Sequence, residues 1–191
     1  MKRTLTALAL TLAATPAAAH LPPGEYGSFL AGVTHPLFGL DHVLAMIAVG
    51  LWAAQIGGRA IWLVPTAFVA TMIAGFLLAL AGMPLPLVEP AILSSIVILG
   101  LVVALALRPD PRLAMALVGA FALFHGHAHG GELGGANALQ FGAGFAIATA
   151  LLHAAGLGVA VAASRLLTTN APALRLLGGL TSAAGLYIIF G

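Results

Sequence analysis

The sequence has 191 residues, of which 61% are hydrophobic and only 6% are charged, and its mean hydropathy is +1.11. In a water-soluble domain roughly a quarter of the residues are charged. This composition therefore excludes a water-soluble domain and predicts a membrane protein. Lys2 and Arg3 account for the formal net charge of +2, and the other five arginines are balanced by five acidic residues, so nucleic acid is a poor partner. The chain has no cysteine, which excludes disulfides and thiolate metal sites, and its seven histidines are the most unusual part of its polar composition.

The amino terminus has the three parts of a secretory signal peptide. Lys2 and Arg3 are followed by an apolar stretch, residues 4–14, and then by small residues that fit the A-x-A cleavage pattern. A helix of this stretch would span about 16 Å, roughly half of the hydrocarbon core of a membrane. We therefore predict that residues 1–19 are a cleaved signal peptide and that His20 begins the mature chain.

Downstream of this segment, six apolar runs of helical length predict six transmembrane helices, packed as one all-α permease domain over residues 20–191. Glycine, proline and charged residues separate the runs, and the connections are too short for a soluble domain. The predicted spans are residues 36–58, 60–82, 90–107, 113–131, 138–164 and 173–190.

The arginines predict the orientation of this bundle, because cytoplasmic loops are enriched in Lys and Arg. If the mature amino terminus is outside, all five arginines after the signal peptide fall in the inner loops. Glu25, Glu89 and Glu132 then fall outside. We therefore expect both termini on the periplasmic side of a bacterial inner membrane.

A first polar cluster, His35, Asp41 and His42, lies at the outer end of the first predicted span. The 16 residues from Val43 to Gly58 give only about 24 Å of helix, so this span has to include Asp41 and His42. His35 and His42 are seven residues apart and are expected on one face of a helix. A carboxylate is costly in lipid, which makes Asp41 a functional candidate; a buried pair that locks helices together is the alternative.

A second polar cluster ends the fourth span, in the segment FHGHAHGGE that runs from Phe124 to Glu132. His125, His129 and Glu132 are spaced at i, i+4 and i+7, which predicts one stripe of a helix, whereas His127 points elsewhere. Counted outward from the inner surface, this stripe lies in the outer half of the membrane. The alternative is a solvated cluster at the membrane interface.

Glu89 opens the third span at the same outer side, so three spans bring imidazole or carboxylate groups to one depth. These groups are ligands for Ni(II), Co(II), Zn(II) or Fe(II), whereas the lack of Cys argues against Cu(I). The pattern predicts a metal site, although Glu89 alone is also favoured at a helix start by the macrodipole. His20 would add an amine and an imidazole to this site. His153, deeper in the fifth span, is either a satisfied core histidine or a relay on an exit path.

The two histidine motifs, His35-x5-Asp41-His42 and FHGHAHGGE, follow a signal peptide in a chain of six predicted spans. In this order and over the whole chain they resemble the HupE/UreJ family. The resemblance implies a bacterial inner-membrane nickel permease, which in some members serves cobalt, and a path lined by Phe68. It also implies functional roles for a set of outer residues. These residues are His35, Asp41, His42, Glu89, His125, His127, His129 and Glu132.

The sequence therefore predicts a secondary permease and not an enzyme, with Ni(II) as a transported substrate and no catalytic cofactor. It contains no phosphate-binding loop of the type G-x-x-x-x-G-K-[ST], and no predicted inner loop could hold an ATPase domain. The alternative is a membrane-embedded zinc hydrolase that uses the same His/Asp cluster. Potential ligands spread over a range of depths favour the permease, because a path needs several positions and a hydrolase needs one.

Overall fold

The computed structural model describes residues 28–131, 133, 137–166 and 171–191, which form α-helices joined by short connections. The predicted all-α fold is confirmed for this part of the chain. The predicted signal peptide and His20 lie outside the described residues. The helices are α1 (Ser28–Phe38), α2 (Leu40–Ile56), α3 (Ala60–Leu80), α4 (Val88–Ala104), α5 (Pro111–Gly131), α6 (Ala138–Leu166) and α7 (Ala171–Phe190).

The first predicted span is two helices rather than one. α1 and α2 meet at Gly39, where the chain bends by 79°. A Cβ at Gly39 would come within 2.7 Å of Nδ1 of His42 and 2.8 Å of Oδ1 of Asp41, so glycine leaves room for these side chains over the break. The expectation that His35 and His42 share one face of a single helix is therefore wrong, because the two residues lie on different helices.

Three helices, α3, α6 and α7, are long and apolar enough to cross a membrane, and the bent pair of α1 and α2 forms a fourth span if it is counted as one. α4 is apolar but has only 17 residues, and the three histidines of α5 lower its hydropathy. Apart from the first, each predicted span agrees with an observed helix to within three residues at either end. The described helices are thus compatible with six spans.

Glycines bring the backbones of neighbouring helices into direct contact. A Cβ on Gly126 of α5 would overlap the backbone of α3, and a Cβ on Gly75 of α3 would overlap the backbone of α5. Gly50 of α2 and Gly156 of α6 make the same kind of contact. Because lipid is as apolar as the helices themselves, small residues that allow close approach are a main source of packing in membranes. These contacts fix α5 against α3 and α2 against α6.

The core lies where these four helices meet, and it contains histidines as well as apolar side chains. Large core residues include Trp52, Phe68 and Phe145, each 2% exposed or less. Four histidines, His42, His125, His129 and His153, are equally well buried, at 4%, 0%, 4% and 2% exposure. Burial of an imidazole without compensation is costly, so the surroundings of these histidines identify the candidate site.

Candidate metal centre

Three imidazoles from three different helices meet at one end of the bundle. His35 comes from the last turn of α1, His42 from the first turn of α2 and His129 from the last turn of α5. One ring nitrogen from each lies within 4.8 Å of the other two, and we call this group the three-histidine cluster. Nitrogens bound to one metal ion at about 2.1 Å lie roughly 3–4 Å apart, so small side-chain movements suffice to bind one.

Asp41 determines which nitrogen of His42 faces the other two imidazoles. Nδ1 of His42 lies 2.9 Å from Oδ1 of Asp41, and because an ionised carboxylate only accepts hydrogen bonds, the Nδ1–H group donates. Nε2 of His42 therefore carries the lone pair, and it lies 2.5 Å from Nε2 of His129. A carboxylate behind an imidazole is the usual support of a metal-binding histidine, so the geometry makes Asp41 a positioning residue for His42.

His125, one helical turn before His129, is oriented in the same way by Ser95 of α4. The Ser95 hydroxyl donates to the carbonyl oxygen of Ile92 at 2.6 Å, and it lies 3.1 Å from Nε2 of His125. Since the hydroxyl hydrogen is already used, Nε2–H of His125 donates to Ser95 and Nδ1 carries the lone pair. Among the described residues this buried Nδ1 has no hydrogen-bond partner. His125 can therefore offer a nitrogen to a cation beside His42, whose ring centroid is 5.3 Å away.

Ser95 is a residue that the sequence analysis missed. The available signal was a pair of hydroxyl side chains, Ser94 and Ser95, within the otherwise apolar third span. A single buried serine is common in membrane helices because its hydroxyl can bond to the backbone of the preceding turn. Only its position opposite His125 gives it a further role, and that position depends on the packing of α4 against α5.

An aromatic wall from α6 covers the three-histidine cluster. The ring centroid of Phe145 lies 4.7 Å from that of His129, 6.1 Å from that of His35 and 6.3 Å from that of His42. Phe141 adds a second ring next to His35, at 5.8 Å. An apolar wall lowers the local dielectric constant, so the attraction between a bound cation and the carboxylate of Asp41 is stronger than in water. Phe145 was also missed, because on α6 it has no feature that distinguishes it from an ordinary core residue.

Two other predicted outer residues, His127 and Glu89, are not brought into the cluster. His127 faces the connection between α3 and α4, where its Nε2–H donates to the carbonyl oxygen of Met83 at 2.7 Å. Glu89 is exposed in the first turn of α4. Glu132 and His20 lie outside the described residues. A metal-binding role for these four residues stays a prediction.

Farther into the bundle, Phe68 and His153 follow the cluster. Phe68 of α3 is fully buried, with its ring centroid 5.7 Å from that of His125 and 4.9 Å from that of His153. His153 lies on α6 and lines a cavity of about 440 Å³ between α3 and α6, which is open at exposed residues such as Ile61 and Ile73. Neither of its ring nitrogens has a hydrogen-bond partner among the described residues, so it is not a satisfied core histidine. The structure thus brings the two predicted path residues into contact with each other.

The chain is similar to known proteins over nearly its whole length. Residues 8–188 match the family described as HupE / UreJ protein. Protein HupE from Rhizobium leguminosarum bv. viciae is 44% identical over 190 residues, which cover 98% of this chain and 96% of that protein. No solved structure matches the chain significantly. With a family match over nearly its whole length and a relative of this similarity, the chain belongs to the HupE/UreJ family, a family of metal permeases and not of enzymes.

Proposed function

We propose that the protein is a secondary permease of the bacterial inner membrane that carries Ni(II), and also Co(II), from the periplasm to the cytoplasm. Its family supports a role related to nickel or cobalt transport. The observation that carries the proposal is the three-histidine cluster, supported by Asp41. Because the family is not one of enzymes, the zinc hydrolase is not retained as an alternative.

The donor atoms of the cluster suit a divalent transition metal. Imidazole nitrogen is a good ligand for Ni(II) and Co(II), whereas Mg(II) and Ca(II) prefer oxygen ligands. A divalent cation that leaves water for an apolar bundle loses hydration energy, and the nitrogens replace part of its water shell. The charge of Asp41, one hydrogen bond away from the ligand nitrogen of His42, offsets part of the positive charge. The site therefore lowers the cost of dehydration where the cation enters the bundle.

The order of the imidazoles suggests how the cation moves inward. In the proposed mechanism Glu89, Glu132 and His20 recruit the hydrated cation at the periplasmic mouth. The three-histidine cluster then replaces waters by imidazole nitrogens. Nδ1 of His125, one helical turn farther in, provides the next ligand, so each step exchanges one nitrogen for another.

The proposal is tested by metal uptake into proteoliposomes that contain the purified protein. Wild type should take up Ni(II), and Asp41→Asn should reduce the uptake about tenfold or more, because loss of a supporting carboxylate weakens metal binding by roughly 10–100-fold. The matched control is Asp110→Asn. Asp110 lies in the connection before α5 and accepts from the backbone N–H of Arg112 at 2.8 Å, a role that asparagine retains.

We expect uptake by Asp110→Asn to stay within about twofold of wild type, as for most surface substitutions. Parallel uptake of Co(II), Zn(II) and Fe(II) measures the selectivity. If folded wild type moves none of these ions, the protein is not a permease for them. If Asp41→Asn transports as well as Asp110→Asn, the cluster is not the transport site.

A further inference from the structure

We propose that His153 of α6 is a second metal-binding position, farther into the bundle than the three-histidine cluster and in contact with the ring of Phe68. This inference rests on the proposed function, because the ligand of His153 would be the transported Ni(II) or Co(II). It assigns to His153 the role of holding the cation after it has left His125 and before it reaches the opposite end of the bundle.

The first observation is the state of the imidazole itself. His153 is 2% exposed, and both of its ring nitrogens are buried without a hydrogen-bond partner among the described residues. Leaving a buried polar group without a hydrogen bond destabilises the folded protein, so an imidazole kept only for packing would be better replaced by an apolar side chain. In its neutral form the ring carries one nitrogen lone pair, which is the requirement for a metal ligand.

The second observation is the position of His153 next to Phe68. The Phe68 ring contacts both His125 and His153, with ring centroids 5.7 Å and 4.9 Å away, and it has no polar atom to offer a cation. A cation that leaves His125 needs another ligand, since an unpaired charge in an apolar interior is very costly. His153 is an imidazole that shares the contact with Phe68.

The third observation is the open cavity that His153 lines. Its volume of about 440 Å³ leaves room beside the imidazole for a metal ion and its other ligands. The other residues of its wall are almost entirely apolar, for example Ile61 and Leu157. His153 is thus the group in this wall that can bind a transition metal.

A second cavity continues the route toward the other end of the bundle. It has a volume of about 190 Å³ and shares Ile61 and Leu157 with the first cavity. Its wall includes Gln55, whose Oε1 atom is buried without a hydrogen-bond partner among the described residues, and the exposed Arg108. An amide oxygen binds Ni(II) only weakly, so the wall of this second cavity would not retain the cation as strongly as His153.

The test compares His153→Phe with Ser182→Ala in the purified, full-length protein. His153→Phe keeps a ring in the core and removes the nitrogens. Ser182→Ala removes another buried polar group, on α7, whose hydroxyl donates to the carbonyl oxygen of Val97 at 2.5 Å. Thermal unfolding confirms that both variants fold. We expect His153→Phe to bind Co(II) at the three-histidine cluster as wild type does but to lose about tenfold or more of the Ni(II) flux, whereas Ser182→Ala keeps its flux.

A second measurement does not depend on transport. In the triple variant His42→Ala/His125→Ala/His129→Ala, which lacks the other buried imidazoles assigned to the path, Co(II) added to the detergent-solubilised protein should still give a ligand-field absorption band from His153, and the band should disappear when His153→Phe is added. A band that is absent in the triple variant, or unchanged by His153→Phe, overturns the inference. The inference is also overturned if folded His153→Phe shows the same Ni(II) flux as wild type. If wild type transports no metal, the proposed function fails, and the absorption band still decides whether His153 binds a metal ion.

Discussion

Two oxygen-bearing side chains decide which nitrogen of a neighbouring imidazole is available to a cation. Asp41 accepts a hydrogen bond from Nδ1–H of His42, so the lone pair of that ring is on Nε2. Ser95 accepts a hydrogen bond from Nε2–H of His125, so the lone pair of that ring is on Nδ1. An imidazole that is free to exchange its proton between the two nitrogens would offer a lone pair in the required direction only part of the time. Fixed tautomers remove this loss before the metal arrives.

Ser95→Ala tests this effect at His125. Without the hydroxyl, Nε2–H of His125 loses its acceptor, which should destabilise the protein by about 1–3 kcal/mol and leave the tautomer undefined. We expect Ni(II) uptake to fall about tenfold and the absorption spectrum of bound Co(II) to change. The matched control is Ser94→Ala, the neighbouring position on the same helix. A spectrum of Ser95→Ala identical to that of Ser94→Ala would show that Ser95 is merely structural.

At the level of the helices, the site depends on one break and on close glycine contacts. The bend at Gly39 turns α1 back so that the ring of His35 lies 5.8 Å from that of His42 and 4.3 Å from that of His129, measured between centroids. The contact between α3 and α5 through Gly75 and Gly126 sets the depth of His125 and His129. These glycines bind no metal ion themselves, but the bend and the helix contacts that they allow determine where the histidine side chains lie.

Gly126→Val tests the importance of the contact between α3 and α5. The added side chain would overlap the backbone of α3 and force α5 outward, at a cost typical of an overpacked core, about 1–3 kcal/mol. We expect the protein to insert into the membrane but to lose most of its Ni(II) uptake and to unfold at a lower temperature. Gly158→Ala on α6 is the control, because a Cβ there meets nothing within 4 Å. Equal uptake by the two variants would contradict this account.

The whole molecule has a histidine end and an arginine end. Arg108 lines the same cavity as Ser164, near the end of α6, and Nε of Arg175 donates to the carbonyl oxygen of Ala104 at the end of α4 at 2.8 Å. The connection between α4 and α5, the end of α6 and the start of α7 therefore lie together. The three-histidine cluster lies at the opposite ends of α2 and α5. By the positive-inside rule, the arginine end is expected in the cytoplasm.

This orientation can be tested with reporter fusions in a bacterial host. Alkaline phosphatase fused after Gly191 should be active, because we expect the carboxyl terminus in the periplasm, and the same enzyme fused after Pro109 should be inactive. A fluorescent protein that matures only in the cytoplasm should give the reverse pattern. Activity of alkaline phosphatase fused after Pro109 would contradict the predicted orientation, and the proposed direction of transport would then have to be reversed. The two fusion sites serve as controls for each other's expression.

The amino-acid sequence predicts the helices well and their three-dimensional contacts poorly. Apolar length and glycine or proline punctuation locate α3 to α7 within a few residues, because the membrane leaves a segment little choice other than a helix. The first span was predicted as a continuous helix, since nothing local distinguishes the glycine at which α1 and α2 separate from the other glycines. Ser95 and Phe145 were missed for a related reason: their roles arise from neighbours that are distant in the sequence.

The break at Gly39 also places the amino-terminal end of a helix beside Asp41. Backbone N–H groups in the first turn of α2 have no partners within the helix, and their dipoles favour a negative charge at this position. Unlike a bound cation, these backbone N–H groups are always present beside Asp41. In the proposed permease, this fixed positive potential would offset part of the charge of Asp41 whenever no metal ion is bound.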